Sequence, residues 1–170
     1  MKFLIILGFL NLIVITCNSQ SQEELEYMKN YEKRITLNRI DDVYIPMDTE
    51  DAMKELDRLT EEEARKKIIT VPEDSIASKL HFSLGRWMLI HWGMEAGSRI
   101  SHYYKLKGIS TNDDKIDLLI RCFYRHIAGQ ALDEEKLIKH YLDKQAEEMK
   151  IRKSKAKVIG TLGPNKKHNE

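Results

Sequence analysis

The sequence contains little cysteine, proline or glycine, with two, three and eight of these residues among 170. So few glycines and prolines exclude collagen-like proteins and flexible linkers. Cys122 is the only cysteine beyond residue 17, so an oxidising compartment would add no disulfide within the folded part. Apolar residues make up 42% of the chain, which suffices for the core of one small domain stabilised by packing.

Charge is balanced overall but unevenly distributed along the chain. The 28 lysines and arginines nearly match the 27 aspartates and glutamates, which excludes a strongly acidic disordered protein. The last 21 residues carry a net charge of +6 and include Gly160, Gly163 and Pro164. We therefore predict a flexible basic tail over residues 150–170. This tail offers one interpretation of function, an electrostatic adaptor for anionic surfaces, and we expect no specific nucleic-acid partner.

The only long apolar run lies at the start of the chain, in residues 1–17 (MKFLIILGFLNLIVITC). A charged start at Lys2 and an apolar stretch too short for a permanent membrane helix are typical of a signal peptide. We therefore predict an exported protein that works in the periplasm or cell envelope. Residues 18–42, which are charged with sparse apolar positions, are predicted to form a tether or a weak helix.

Two interpretations of the cleavage site remain open. The stretch from Val14 to Cys17 resembles the bacterial lipobox, which would make Cys17 a lipidated first residue and attach the protein to the membrane. Thr16 departs from the smaller residue usual at that position. The alternative is ordinary cleavage near Ser19 or Ser21.

Helical periodicity dominates residues 43–149 and predicts an all-α domain, a compact multi-helix bundle. Asp48 is a candidate N-cap, and the residues from Thr111 to Asp114 begin another helix. That second helix carries an apolar stripe at Ile116, Leu119, Ile120, Phe123 and Ile127. The segment from Ser78 to Trp92 is apolar on nearly every side, so we predict that it is the central buried helix of the bundle.

One group of polar and aromatic residues spans the end of this helix, a glycine-containing turn and the next helix. Gly93 and Gly97 permit a tight reversal that would bring Arg99 towards Arg86. Two guanidinium groups beside indoles and a helix N-terminus would hold a carboxylate or phosphate. The alternative is an arginine buried against Asp57, Asp113 or Asp114 and stacked on tryptophan, which fixes the geometry of the bundle. The candidate ligand-binding residues are Arg86, Trp87, His91, Trp92, Ser98, Arg99 and His102.

The patterns of metal and catalytic sites are not convincing. Cys122 and His126 are one helical turn apart, but a closed zinc site needs four ligands and no second pair has such spacing. No serine or cysteine lies within a nucleophile motif. We therefore predict no metal, no cofactor and no catalytic residues.

The segment from Tyr44 to about Tyr141 resembles a bacterial family classed only as a domain of unknown function. The resemblance rests on Tyr44-Ile45-Pro46, Asp48, Asp51, Leu56-Asp57, Leu80-His81-Phe82, Leu84-Gly85-Arg86-Trp87, Trp92-Gly93, Gly97-Ser98-Arg99, Tyr104, Lys107-Gly108-Ile109, Asp113-Asp114 and Tyr124-Arg125. Glu95-Ala96 departs from the Gly or Trp-Gly that similar proteins often carry there. The resemblance implies a helical domain and the place of a site, but no activity, cofactor or partner.

These observations favour a non-enzymatic, exported domain over an enzyme. In this interpretation the domain is structural or binds an envelope protein, because Trp, Tyr and Arg dominate the energetics of interfaces. The alternative is a pocket that binds or hydrolyses an anionic small molecule or envelope polymer through Arg86 and Arg99.

Overall fold

The computed structural model describes residues 22–161, with side chains as far as residue 155. The predicted signal peptide, Cys17 and residues 162–170 lie outside this range. Helices dominate the described residues, in agreement with the predicted all-α class. The helices are α1 (22–34), α2 (Thr49–Leu59), α3 (Glu62–Ile68), α4 (Glu73–Leu80), α5 (Arg86–His91), α6 (Arg99–Leu106), α7 (Asn112–Ile127) and α8 (Glu134–Thr161).

A minimal antiparallel hairpin joins α1 to α2. Its strands are β1 (Arg39–Ile40) and β2 (Val43–Tyr44), with Arg39 opposite Tyr44. Asp41 and Asp42 connect them with φ angles of 47° and 61°. Positive φ at both central residues is the geometry of a type I′ turn, which aspartate tolerates better than most residues.

Helix α7 forms the centre of the core. Its predicted stripe is buried at Ile116, Leu119, Ile120 and Phe123. Helices α2 and α4 make the most extensive contacts with it. A hydrogen bond of 2.6 Å from Arg125 Nε on α7 to Glu73 Oε1 on α4 adds a polar contact between the two helices. The core is therefore assembled around α7 rather than around residues 78–92.

The prediction that Ser78 to Trp92 is buried on nearly every side is wrong. This segment consists of the end of α4, a π-helical turn at His81–Gly85 and the short helix α5. Met88 and Trp92 are buried, whereas Phe82 is 83% exposed and Ile90 is 58% exposed. Apolar composition on all sides does not by itself cover all sides, because folded proteins leave much apolar surface in water.

The predicted N-cap at Asp48 is confirmed, and Thr111 caps the helix that is predicted to begin there. The Asp48 carboxylate accepts a hydrogen bond from the Asp51 backbone N–H at 2.8 Å, and the Thr111 hydroxyl accepts one from the Asp114 N–H at 3.3 Å. Each bond satisfies one of the free N–H groups at the start of a helix.

Helix α8 packs on the domain through its first turns, where Leu137, Ile138 and Tyr141 are buried. It then continues to Thr161, so the described part of the predicted basic tail is helical. Residues 150–159 are mostly good helix formers and contain no proline or glycine, which explains why the helix outlasts its apolar stripe.

Candidate functional site

The predicted site residues lie on α5, on α6 and in the turn between these two helices. Gly93 and Gly97 adopt φ angles of +59° and +87°, a backbone conformation that glycine adopts without strain. The reversal expected from these glycines is therefore present. A hydrogen bond of 3.0 Å from the Ser101 hydroxyl to the Met94 carbonyl ties the turn to α6.

The two indoles of the site have different environments. Trp92 is fully buried, whereas Trp87 is half-buried. Their rings meet edge to face with centroids 5.9 Å apart, an arrangement that the aromatic quadrupole favours. His91 is exposed and lies against Trp87, with 4.9 Å between the ring centroids.

Arg99 is engaged by groups of the domain itself. Its Nε donates to the Ile45 carbonyl, its Nη2 lies 3.7 Å from the Asp51 carboxylate, and its guanidinium lies 5.1 Å from the centroid of the Tyr44 ring. Asp51 also accepts hydrogen bonds from the Tyr44 hydroxyl at 2.8 Å and the Met47 N–H at 2.9 Å. The bond to Asp51, with burial, raises the pKa of Tyr44. Arg99 therefore joins α6 to the hairpin and α2.

Arg86 is exposed to solvent, whereas Arg99 is half-buried and paired within the domain. Arg86 begins α5 and forms no ion pair within residues 22–155.

Three buried polar atoms in this region form no hydrogen bond with any residue that the structure describes. They are Trp92 Nε1, Ser98 Oγ and Arg99 Nη2. Ser98 occupies the N-cap of α6, but its side chain makes no capping bond. Unpartnered buried donors are uncommon, because each forgoes its hydrogen bonds to water.

The structure also reveals two features that sequence reasoning missed. The first is a contact from α1: Tyr31 hydrogen-bonds with His102 Nδ1 at 2.8 Å, and Arg34 Nε donates to the Gly97 carbonyl at 3.0 Å. These partners are 71 and 63 residues apart, so no local pattern identifies them.

The second feature is an apolar groove of about 350 Å³ between α2 and the π-helical turn. Trp87 forms part of the wall of the groove. Exposed Phe82 directly precedes Ser83, which also lines the groove. The groove is lined by Leu56, Leu59, Thr60, Ser83, Leu84 and Trp87.

The remaining reactive groups lie elsewhere. Burial raises the pKa of the Cys122 thiol to about 12, which keeps the thiol protonated. His126 lies in a separate charged cleft with Asp57, Glu62 and Arg65. Within the residues that the structure describes, no three His, Cys, Asp or Glu side chains are placed to share a metal ion, and no helix is long and apolar enough to cross a membrane.

Comparisons with known proteins address the part of the chain that contains this site. No curated protein and no solved structure matches the chain. A family model does match, from Ile45, whose carbonyl accepts from Arg99, to Ile127 at the end of α7. The match spans residues 45–127, just under half of the chain, and the matched family is described as a domain of unknown function (DUF6794).

Proposed function

We propose that this domain is a non-enzymatic protein-binding module that works outside the cytoplasm, held in the cell envelope through its N-terminal segment. The groove beside Trp87 is the proposed binding site. The observation that carries the proposal is the half-buried Trp87 indole in the wall of an apolar groove, with exposed Phe82 directly before the lining residue Ser83.

The lining of the groove suits a large apolar side chain. Leu56, Leu59 and Leu84 supply aliphatic contact, and Trp87 supplies a rigid aromatic surface. Tryptophan is strongly enriched among the residues that dominate interface energies, and exposed apolar patches often mark interaction sites. The volume of about 350 Å³ lies at the lower end of the range usual for ligand pockets.

The residue before Trp87 in the chain, Arg86, favours an acidic partner. Arg86 is exposed and has no ion-pair partner within residues 22–155. Arg58, on α2, is by contrast already paired with Glu55 at 2.7 Å. The proposed partner is therefore a protein segment that places a large apolar side chain in the groove and a carboxylate beside Arg86.

Selection from a random peptide library on the immobilised full chain tests this proposal. We expect enriched peptides to combine a large apolar residue with an acidic one. Their affinity should fall at least about tenfold with Leu59→Lys, which corresponds to the loss of one well-packed contact. The matched control is Leu106→Lys, because Leu106 is 75% exposed and does not line the groove.

Two results would contradict the groove as the binding site. One is enrichment of peptides whose binding is unaffected by both Leu59→Lys and Trp87→Ala. The other is equal loss of binding with Leu59→Lys and Leu106→Lys. A charge reversal, Arg86→Glu, separates the electrostatic part, because it should shift the selected peptides from acidic to basic residues.

The envelope location has its own test. Mass spectrometry of the mature N-terminus distinguishes a lipidated Cys17 from cleavage near Ser19 or Ser21. Recovery of the intact chain starting at Met1 in the cytoplasmic fraction would overturn export. This result is independent of whether the groove binds a partner.

A second candidate function, binding of an anionic ligand, is favoured by the buried Ser98 hydroxyl at the N-cap of α6, which forms no hydrogen bond within the described residues. Titration with inorganic phosphate tests it, with Ser98→Ala as the variant and Ser110→Ala as the control, since Ser110 is exposed. Heat released by the wild type and the control, but not by Ser98→Ala, would support this function. No binding to the wild type would exclude phosphate as its ligand.

A further inference from the structure

Helix α1 lies outside residues 45–127 and contacts the domain only near its C-terminal end. Residues 22–30 are all exposed, whereas Tyr31 and Arg34 are half-buried. These two side chains, one helical turn apart, both reach the turn between α5 and α6 or the helix that follows it.

The two glycines of that turn form the seat for α1. A Cβ atom at Gly97 would overlap the ring of Tyr31, and one at Gly93 would overlap the guanidinium of Arg34. The absence of side chains at these two positions therefore permits the close approach of α1.

Directional polar contacts complete the docking. Tyr31 hydrogen-bonds with His102 at 2.8 Å, Arg34 binds the Gly97 carbonyl at 3.0 Å, and Lys105 Nζ lies 4.8 Å from the centre of the Tyr31 ring. The large apolar side chains of α1, Leu25 and Met28, remain exposed. Little apolar surface is thus removed from water, so separating α1 from the domain requires much less free energy than unfolding the core.

We propose that α1 is a reversible latch. The surface formed by Gly93, Gly97, His102 and Lys105 is a docking site for a helix with the pattern Tyr-x-x-Arg, and α1 of the same chain occupies it. Release of the latch turns residues 22–38 into a linker and exposes the Gly97 carbonyl and the His102 ring. This inference does not depend on the groove beside Trp87.

Hydrogen exchange of the full chain, followed by mass spectrometry, tests the latch. Arg34→Ala removes one docking bond, and Lys33→Ala is its matched control, because Lys33 is the adjacent basic residue and is exposed. Alanine favours the helix equally at both positions, so fraying of α1 alone cannot explain a difference. We expect Arg34→Ala to raise exchange about tenfold in α1 and in residues 93–102, with no change in α7, whereas Lys33→Ala changes none of them.

A double-mutant cycle tests the second docking bond. Tyr31→Phe and His102→Ala each remove one partner of the same hydrogen bond, so each should raise exchange in α1 on its own. Together they should raise it little more than one of them alone, because the bond can be lost only once.

Three outcomes would overturn the proposal. Unchanged exchange in Arg34→Ala would show that α1 is not held by this contact. Equal acceleration throughout α7 would make α1 part of the cooperative core. Protection of α1 that increases with protein concentration would mean that α1 of a second copy, rather than of the same chain, occupies the surface.

Discussion

Helices α1 and α7 are stabilised by different interactions. Helix α7 has eight buried residues, including Leu119 and Phe123. It contacts α2, α4, α5, α6 and α8. Helix α1 has no buried residue, and its docking depends on Tyr31 and Arg34. Burial of apolar surface provides the free energy of folding, whereas a few directional bonds decide where a solvent-exposed helix lies. The two helices should therefore respond very differently to loss of an aromatic side chain.

Phe123→Ala should have the largest effect. Phe123 is fully buried in α7, and removal of a buried phenylalanine costs about 3–5 kcal/mol through lost burial and the cavity left behind. Tyr31→Ala in α1 should lower the free energy of global unfolding by less than about 1 kcal/mol. Urea denaturation monitored by circular dichroism measures both. Comparable losses in the two variants would mean that α1 belongs to the cooperative core.

Gly85→Ala should have a smaller effect, because two contributions oppose each other. The added Cβ would lie 2.6 Å from Ile116 Cγ2 on α7, and overpacking of this kind costs about 1–3 kcal/mol. The backbone of Gly85 is helical, with φ −61° and ψ −48°, so alanine recovers about 1 kcal/mol of helix propensity.

The expected net loss of stability for Gly85→Ala is therefore about 0–2 kcal/mol, measured by the same denaturation. Ser83→Ala is the control, because Ser83 lies in the same π-helical turn but is exposed. A more stable Gly85→Ala variant would indicate that this part of the interface with α7 is loose enough to accept a methyl group.

The fold was more predictable from sequence than the site was. The stripe on α7 and the caps at Asp48 and Thr111 depend on residues close in sequence, and local periodicity and capping chemistry are sufficient to identify them. The burial of residues 78–92 depends on which neighbours cover each face. Composition does not contain that information, so Phe82 was wrongly expected to be buried.

The site depends even more on distant contacts. Gly93 and Gly97 indicated the turn, because positive φ is a local property. The partners of Arg99, by contrast, are Ile45 and Asp51, and no spacing rule selects them from the other acceptors in the chain. The same limit applies to Tyr31, whose partner lies on α6.

Neighbouring charges at the start of α7 provide a finer comparison. Burial alone would raise the pKa of Asp114, but hydrogen bonds from Lys144, Thr111 and Gln145 outweigh it and lower the pKa. Lys115, the next residue, is buried without a carboxylate partner. Asp114 thus stabilises the folded state above the pKa of an unfolded aspartate, and this contribution is lost as pH falls through the lowered value.

The effect of Lys115 should have the opposite sign. Its Nζ donates to Ser101 Oγ at 2.9 Å and Asn112 Oδ1 at 3.3 Å, and burial, followed by repulsion from Lys105, lowers its pKa from the ordinary 10.5. Between the lowered pKa and 10.5 the unfolded chain binds more protons than the folded one, so this lysine makes stability increase as pH rises. Below that window it imposes a constant loss of stability.

Lys115→Met should remove that loss and should be the smallest of these effects, a gain of about 1 kcal/mol at neutral pH that shrinks as pH approaches 10.5. Denaturation at a series of pH values measures it, with Lys79→Met as the control, because Lys79 is exposed. Parallel curves for the wild type and Lys115→Met would show that Ser101 and Asn112 solvate the ammonium group as well as water does. If the two curves instead converge as pH rises, the buried charge of Lys115 lowers the stability of the folded state. The core would then tolerate a destabilising charge on α7, the helix around which it is assembled.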